Sequence, residues 1–347
     1  MTHRGTRTAL LVSGLLLASA ATAGPAAASS SPPTVLPGTA AAGWLARQMT
    51  DGTYFQDSYD GVEYPDQGLT IDAIIAFAAT GTGNDYAARA TTWLEQPDIL
   101  SNYLGDGVTE SYAGPTAKLL LAAEVRGVNP TSFGGVNLVA RLAALLTPSG
   151  QYSDVSAYGD YSNAFSQALA VIALSRHGGA PATAVNFLAG TECADGGFPL
   201  DFAQPTCVDD ADATAMDVQA LLAAGDPSAA QRGLNWLVSA QLPSGGYAES
   251  AGDTADTNTT GIAGQALLVG GKLVPAAKAA VFLYGLQVGC SGAPADQGGI
   301  AFDATGFDPT TAARATAQGI LGLAGVGYAH VSAAGSHNGD PHLACTS

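Results

Sequence analysis

A unit of two helix-like segments recurs along most of the chain, and this repeat constrains the fold more than any other feature. The first segment of each unit is Ala-rich and carries an aromatic-Leu pair, replaced once by Leu145-Leu146, at intervals of 42 to 52 residues. The pairs are Trp44-Leu45, Trp93-Leu94, Phe187-Leu188, Trp236-Leu237 and Phe282-Leu283. Repeats of this length indicate a stacked or closed array of helical hairpins.

The second segment of each unit is small and apolar on nearly every face, which predicts a helix buried on most sides. In four copies a Thr precedes a closing Gly by eleven residues. We expect the Thr or a preceding Asp to satisfy amides of the first turn, and the Gly to form a left-handed cap. The expected inner helices span residues 70–79, 116–125, 167–176, 214–224, 260–269 and about 314–324.

The two segment types predict an outer and an inner layer. First segments carry Arg89, Arg232 and Lys278 and should touch solvent, whereas second segments lack such a polar face. An open solenoid would need polar faces on its end repeats, but the first and last inner segments are as apolar as the others. We therefore expect an all-α fold in which six helical hairpins close into an α6/α6 toroid, a double ring of outer and inner helices, over residues 39–330.

The first 28 residues have the charged, apolar and small-residue order of a secretory signal peptide. Arg4 and Arg7 precede an apolar run, and cleavage would follow Ala23 or Ala28. A retained N-terminal anchor is the alternative. We expect a Ser/Pro linker at residues 29–38, a tail at residues 331–347, and a protein secreted to the extracellular space.

Four cysteines follow the expected signal peptide, and an even number in an exported protein favours two disulfides. Three pairings are open. Cys193–Cys207 is the most local and would leave Cys290–Cys345, which would tether the tail. No Cys-x-x-Cys spacing supports a zinc site.

The chain is acidic, with 29 acidic and 12 basic residues and a formal net charge of −17. Such a chain is repelled by nucleic acid and by anionic lipid. We expect no nucleic-acid partner, no membrane insertion once the signal is removed, and a monomer that takes a small-molecule or cell-envelope ligand.

Short motifs at the ends of the first segments resemble those of the terpenoid cyclase and protein prenyltransferase superfamily of α/α toroids. They look like short forms of the repeats of squalene-type cyclases and like the Gly-Gly-aromatic turns of prenyltransferases. The motifs are Gln48-x3-Gly52-x-Tyr54, Gln241-x3-Gly245-x-Tyr247, Asp195-Gly-Gly-Phe198 and Ser244-Gly-Gly-Tyr247. The resemblance covers roughly residues 40–327 and implies a toroid, on which several unrelated activities occur.

The resemblance also implies a candidate acid. Class II cyclases protonate an alkene from the middle Asp of an Asp-x-Asp-Asp motif, and Asp210-Ala-Asp212-Ala213 resembles its first three positions, with Ala213 in place of the last Asp. If the chain is an enzyme, Asp212 would be the general acid and Asp210 its neighbour. A bare Asp212 near a surface would be ionised at neutral pH, which argues against this role. The zinc motif of prenyltransferases is absent, since Pro205 stands two residues before Cys207.

The loops that join first to second segments are rich in tyrosine and carboxylates and should meet at one end of the ring. A concave, aromatic mouth with a few polar groups is typical of a small-ligand site. Packing of the loops and capping of the helices is the alternative for each residue. The candidate ligand-binding residues are Tyr54, Tyr64, Tyr112, Tyr152, Tyr161, Phe198, Tyr247, Asp209, Asp256 and Phe302.

On sequence alone we favour a secreted protein that binds a ligand or partner at this mouth without catalysis. One alternative is a terpene-cyclase-like or prenyltransferase-like enzyme that uses Asp212 as general acid. Another is a surface interaction module with no small ligand. We expect no cofactor, with calcium at Asp253, Asp256 and Asn258 as a weaker hypothesis and helix capping as its alternative.

Overall fold

The computed structural model describes residues 35–250 and 252–345. The expected signal peptide and most of the expected linker lie outside the described residues. In the described part the inner helices are α2 (Gln67–Thr80), α5 (Ala113–Arg126), α7 (Ala164–His177), α9 (Ala211–Ala223), α11 (Thr257–Val269) and α13 (Pro309–Ala324). The outer helices are α1 (Pro37–Arg47), α3 (Asn84–Leu94), α4 (Pro97–Leu104), α6 (Leu138–Ala143), α8 (Ala182–Gly190), α10 (Pro227–Ala240) and α12 (Leu273–Leu286).

The inner helices form a closed ring. Each packs against the next in the order α2, α5, α7, α9, α11 and α13, and α13 packs back against α2. The outer helices lie around them, and the Leu of every aromatic-Leu pair is buried between the layers. The fold is all-α and is an α/α toroid, as the sequence predicts. We call the end where the inner helices begin the mouth and the opposite end the lower end.

The units around the ring are not equal. Both α3 and α4 lie between α2 and α5 in the chain, because Pro97 starts a new helix where α3 stops. Helix α6 has only six residues, and its place is partly filled by turns. Exposed Arg89, Arg232 and Lys278 lie on the solvent side of the outer layer, as expected.

The inner helices begin about one turn earlier than the Thr positions suggest, because the capping side chain belongs to the preceding acid. Asp66, Asp210 and Asp256 each accept the backbone N–H three residues later, at 2.8, 2.7 and 2.9 Å. The Thr four residues after the cap is not a capping residue. Its side chain bonds instead to the turn before the helix, as Thr70 does by accepting the N–H of Phe55.

Short strands line the mouth. Antiparallel strands β1 (Phe55–Tyr59) and β2 (Val62–Asp66) form a hairpin that leads into α2. Strands β3 (Phe198–Pro199) and β4 (Asp209–Asp210) pair antiparallel and lead into α9. Since β2 and β4 end at the caps of α2 and α9, these strands fix where two inner helices begin.

Two disulfides join Cys193 to Cys207 and Cys290 to Cys345. The first closes the loop that holds β3 and β4. The second attaches the tail beyond α13 to the loop before it, as expected from the most local pairing.

The tail crosses the lower end of the ring and then runs along its outer side toward the mouth. Its Ala333 N–H donates to Val125 O at the end of α5, and its His337 N–H donates to Gly81 O just after α2, both at 2.9 Å. Further on, Arg47 at the mouth end of α1 donates to Asp340 O at 3.2 Å. The described tail is therefore an ordered strap. No helix in the described ranges is long and apolar enough to cross a membrane.

Candidate functional site

Two acids of the Asp-Ala-Asp-Ala motif occupy different positions at the start of α9. Asp210 ends strand β4 and caps the helix, with its Oδ1 accepting the Ala213 N–H at 2.7 Å. Asp212 is the second residue of the helix, and its Oδ1 is enclosed without a hydrogen-bond partner. Asp210 is thus a structural cap, whereas one carboxyl oxygen of Asp212 makes no hydrogen bond within the protein.

The environment of Asp212 lets its carboxyl group hold a proton near neutral pH. Burial, together with the nearby carboxylates of Asp210 and Asp256, raises the pKa of Asp212 to about 7, although a hydrogen bond with the Thr259 side chain acts in the opposite direction. A helix N-terminus favours a negative charge, but here desolvation outweighs that effect. Asp212 is part-buried because the neighbouring inner helix and loops cover the start of α9, so it is not the bare surface carboxylate that would be fully ionised at neutral pH.

Helix α11 presents a second oxygen to the same region. Asp256 caps α11 through the Thr259 N–H, is 6% exposed, and has a pKa raised by burial. Asn258 is the second residue of α11, as Asp212 is of α9, and its Oδ1 is also buried without a partner. Two adjacent inner helices therefore place an unpaired oxygen at equivalent positions at the mouth end of the ring.

Below these residues, polar groups lie within the otherwise apolar ring. Lys118 of α5 pairs with Asp72 of α2 at 2.7 Å. Tyr328, which follows α13, has a phenol pKa raised by burial and by the nearby carboxylates of Asp72 and Asp212. Burial and Asp72 likewise raise the phenol pKa of Tyr103. Two aromatic side chains thus lie near Asp72, and that of Tyr328 also lies near Asp212.

A further acid, Asp217, is fully buried in α9. Neither of its carboxyl oxygens has a hydrogen-bond partner, and burial raises its pKa well above the usual range. Burying an unpaired carboxylate costs far more free energy than burying the neutral acid. Asp217 is therefore protonated in the folded protein.

The structure divides the candidate ligand-binding aromatics into three groups. Tyr152, Phe198 and Tyr247 are at most 1% exposed and lie beneath the mouth, so the expectation that they line it is corrected. Their side chains fill the space between inner and outer helices, and the Tyr247 hydroxyl donates to Leu237 O at 2.7 Å.

Two other candidates are held by neighbours. Tyr54 stacks on Trp93 with ring centroids 4.7 Å apart, and the Tyr112 hydroxyl donates to Glu110 at 2.9 Å. The remaining aromatic candidates, Tyr64, Tyr161 and Phe302, are exposed on separate loops. The mouth aromatics do not form one continuous surface in the described part of the chain.

The acidic candidates differ in their surroundings. Asp209 lies in β4, has a buried Oδ1 without a partner, and has a pKa raised by burial and by nearby Asp195. Asp256 acts as a helix cap, whereas Asp253 is an exposed loop residue. Within the described residues no three His, Cys, Asp or Glu side chains form a metal-binding group. The calcium hypothesis, which also counts Asn258, stays a prediction.

Sequence reasoning missed Asp72, Lys118, Asp217 and Tyr328. The first three are charged residue types inside helices that are otherwise almost entirely apolar, and this signal is visible in the sequence. Tyr328 had no such signal, because its inward position depends on the course of the tail.

No protein-family model matches this sequence. No curated protein matches it either. Solved structures with the same fold do match, and the chain has the terpenoid cyclase-like α/α toroid fold.

Three solved structures illustrate this likeness. The type II terpene cyclase MstE from Scytonema, in complex with its substrate geranylgeranyl dihydroxybenzoate, is 15% identical, has a TM-score of 0.62, and covers 84% of this chain and 96% of its own. MstE with its product merosterolic acid A is 16% identical, with a TM-score of 0.58 and coverage of 83% and 95%. An unsaturated glucuronyl hydrolase from Bacillus sp. GL1 is 10% identical, with a TM-score of 0.57 and coverage of 85% and 98%.

This comparison corrects the expectation of a binding protein without catalysis. Several of the matching toroids are terpene cyclases, solved with substrate and with product, so the comparison favours the enzyme alternative. The objection that a bare surface Asp212 would be fully ionised does not apply to the part-buried residue of this structure.

Proposed function

We propose that this chain is a terpene-cyclase-like enzyme in which Asp212 protonates an alkene of an isoprenoid substrate and so starts a cyclisation. The proton goes from the Asp212 carboxyl to an alkene carbon, which leaves a carbocation on the substrate and a carboxylate on Asp212. Ring closure by further alkenes and loss of a proton then give an isomer of the substrate. The substrate class rests on the likeness in fold to MstE, and the acid rests on this chain's own residues.

The protonation state of Asp212 is the observation that carries the proposal. A general acid works best when its pKa is near the working pH, and burial raises the pKa of Asp212 to about 7. Its enclosed Oδ1 makes no hydrogen bond to the protein. About half of the Asp212 carboxyl groups therefore carry a proton at pH 7.

Neighbouring groups support the same role. The carboxylates of Asp210 and Asp256 disfavour ionisation of Asp212 and so help to keep its proton in place. The ring of Tyr328 lies in the interior near Asp212, and aromatic faces stabilise cations. Proton transfer from a side chain to an alkene requires no cofactor.

The setting of the enzyme is also a proposal. We propose a signal peptide at residues 1–28, a linker at 29–38, the ring at 39–330, and a tail at 331–347 in a secreted protein. Two disulfides support an oxidising compartment, where such bonds persist. The substrate would then be an isoprenoid compound met outside the cytoplasm.

The test is product formation from geranylgeranyl dihydroxybenzoate and from geranylgeraniol, followed by chromatography and mass spectrometry in H2O and in D2O. A cyclised product has the mass of its substrate in H2O and gains one deuterium at the protonated carbon in D2O. Asp212→Asn should abolish the product while the circular dichroism spectrum is unchanged. Asp98→Asn, an exposed acid on outer helix α4, is the matched control and should keep full activity.

Equal product from Asp212→Asn and the unaltered protein would remove Asp212 from the mechanism. Absence of any deuterated isomer from either substrate would reject acid-initiated cyclisation of these isoprenoids.

A further inference from the structure

A cavity lies at the lower end of the ring, whereas Asp212 lies at the mouth end. Its volume is about 410 Å³, within the range of small-ligand pockets. The ends of α7, α9 and α11 and the start of the tail enclose it. Among its lining residues are Ser175, Arg176, Gln219, Leu222, Val269 and His330.

The charge of this cavity is opposite to that of the protein. The chain has 29 acidic and 12 basic residues, yet Arg176 and His330 line the cavity and no Asp or Glu of the described residues does. Glu124 lies near Arg176 and pairs with His177 at 2.7 Å. A cavity with this lining favours an anion over a cation.

Arg176 lines the cavity and is tied to the protein by a terminal nitrogen that donates to Tyr328 O at 2.9 Å. Its Nε and the hydroxyl of neighbouring Ser175 are fully buried and have no partner. A guanidinium presents its donors as a planar fork that matches a carboxylate, so the part of Arg176 that lines the cavity can bind an anion there.

The rest of the lining sets a second requirement. Leu222, Ala223 and Val269 form an apolar wall opposite the polar residues. Gln219 does not compete for the ligand, because its oxygen accepts the Tyr328 N–H and its amide donates to Gln265. The ligand would therefore need one anionic group and a short apolar body.

We propose that this lower cavity is a binding site for a small amphipathic carboxylate, whose carboxylate is held by Arg176 and His330 and whose hydrocarbon part packs on the apolar wall. This site is separate from the acid at the mouth. It needs no isoprenoid substrate and no active Asp212, so it stands or falls independently of the cyclase proposal.

Isothermal titration calorimetry of the full protein with hexanoate tests the site, with hexylamine as the ligand of equal length and opposite charge. Saturable binding of hexanoate and no binding of hexylamine are expected. Arg176→Gln should weaken hexanoate binding roughly 10- to 100-fold, because a charged hydrogen bond is lost. His330→Ala, at an exposed position, should weaken it less and leave the fold intact.

Arg126→Gln is the matched control. Arg126 is likewise a partly buried arginine at the end of an inner helix, with an unpaired Nε and one bond to Asn84, but it lies outside the lining of this cavity. It should bind hexanoate as the unaltered protein does. No saturable binding of hexanoate, equal binding of hexylamine, or unchanged affinity in both Arg176→Gln and His330→Ala would overturn the proposal.

Discussion

Thr214 joins inner helix α9 to the turn that precedes it by accepting the backbone N–H of Phe198 at 2.8 Å and donating to Asp210 O at 2.7 Å. The same bond recurs around the ring, with small variations in the side chain that makes it. The other pairs are Thr70 with Phe55, Thr260 with Tyr247, Thr316 with Ile300, and Gln167 with Tyr152. This bond explains why Thr recurs at a fixed place in the repeat.

Thr214→Val should therefore destabilise the protein by about 1–3 kcal/mol, the cost of leaving the buried N–H of Phe198 without an acceptor. Valine keeps the shape of threonine and removes only the hydroxyl. Thr214→Ser, which keeps the hydroxyl and loses a methyl group, is the control and should be the more stable variant. The free energy of unfolding from urea titration decides, and a Val variant as stable as the Ser variant contradicts the role of the bond.

Because of Asp212, the free energy of unfolding should fall as the pH rises. Its pKa is about 7 in the folded protein and about 4 in an unfolded chain, so the folded state binds more protons between these values. The free energy of unfolding must then fall with rising pH across that window. Asp212→Asn removes this loss, and its melting temperature should exceed that of the unaltered protein at pH 8 but not at pH 4.

Asp106→Asn is the control for the general effect of removing one acid from a highly negative chain. Asp106 is exposed, and backbone N–H groups, that of Glu110 first, hold the pKa of its carboxyl well below the usual range. Its ionised form stabilises the folded state above the unfolded pKa, so this variant should melt lower at pH 8. A rise in both variants would mean that reduced charge repulsion, and not burial of Asp212, is the cause.

The repeat made the toroid predictable from sequence because two helix types with different apolar patterns specify two layers. The Thr-to-Gly spacing also located the ends of the inner helices, and Gly81 and Gly127 end α2 and α5 with φ of 67° each. The starts of the inner helices were predicted less accurately, since the recurring Thr lies four residues after the cap and bonds to the preceding turn instead of capping the helix. That contact is tertiary and leaves no local pattern.

The candidate site was only partly predictable. The cyclase-like motif singled out Asp212, but whether a carboxyl is ionised depends on burial by α11 and the mouth loops, which belong to distant parts of the chain. Tyr247 and Phe198 looked like mouth residues because they follow Gly-Gly turns, yet these turns direct the rings into the core. The course of the tail, and with it the lower cavity and Tyr328, had no sequence signal.

The ion pair between Lys118 and Asp72 should be sensitive to loss of one partner. Asp72 is 9% exposed and its Oδ2 already lacks a hydrogen bond, so Lys118→Met would leave a buried carboxylate without its cation. Removing one partner of a buried pair costs about 3–5 kcal/mol. Urea unfolding at pH 7 measures this loss.

The double variant Asp72→Asn with Lys118→Met separates the charge effect from a packing effect. It carries no unpaired charge and should recover much of the stability lost in Lys118→Met alone. If the double variant is as unstable as the single one, the lysine stabilises the ring through its hydrocarbon chain instead.

The two disulfides should differ in what they contribute to stability. Cys290–Cys345 spans 55 residues and Cys193–Cys207 spans 14. By lowering the chain entropy of the unfolded state, the two bonds should stabilise the folded state by about 4 and about 3 kcal/mol respectively. Replacing Cys290 and Cys345 with Ser should therefore lower the melting temperature more than the same change at Cys193 and Cys207. Only the first change should also release the tail, so limited proteolysis should cut between Ala333 and Asp340 in that variant and not in the other. A tail that stays protected would show that its backbone bonds to Val125 and Gly81 are sufficient to hold it.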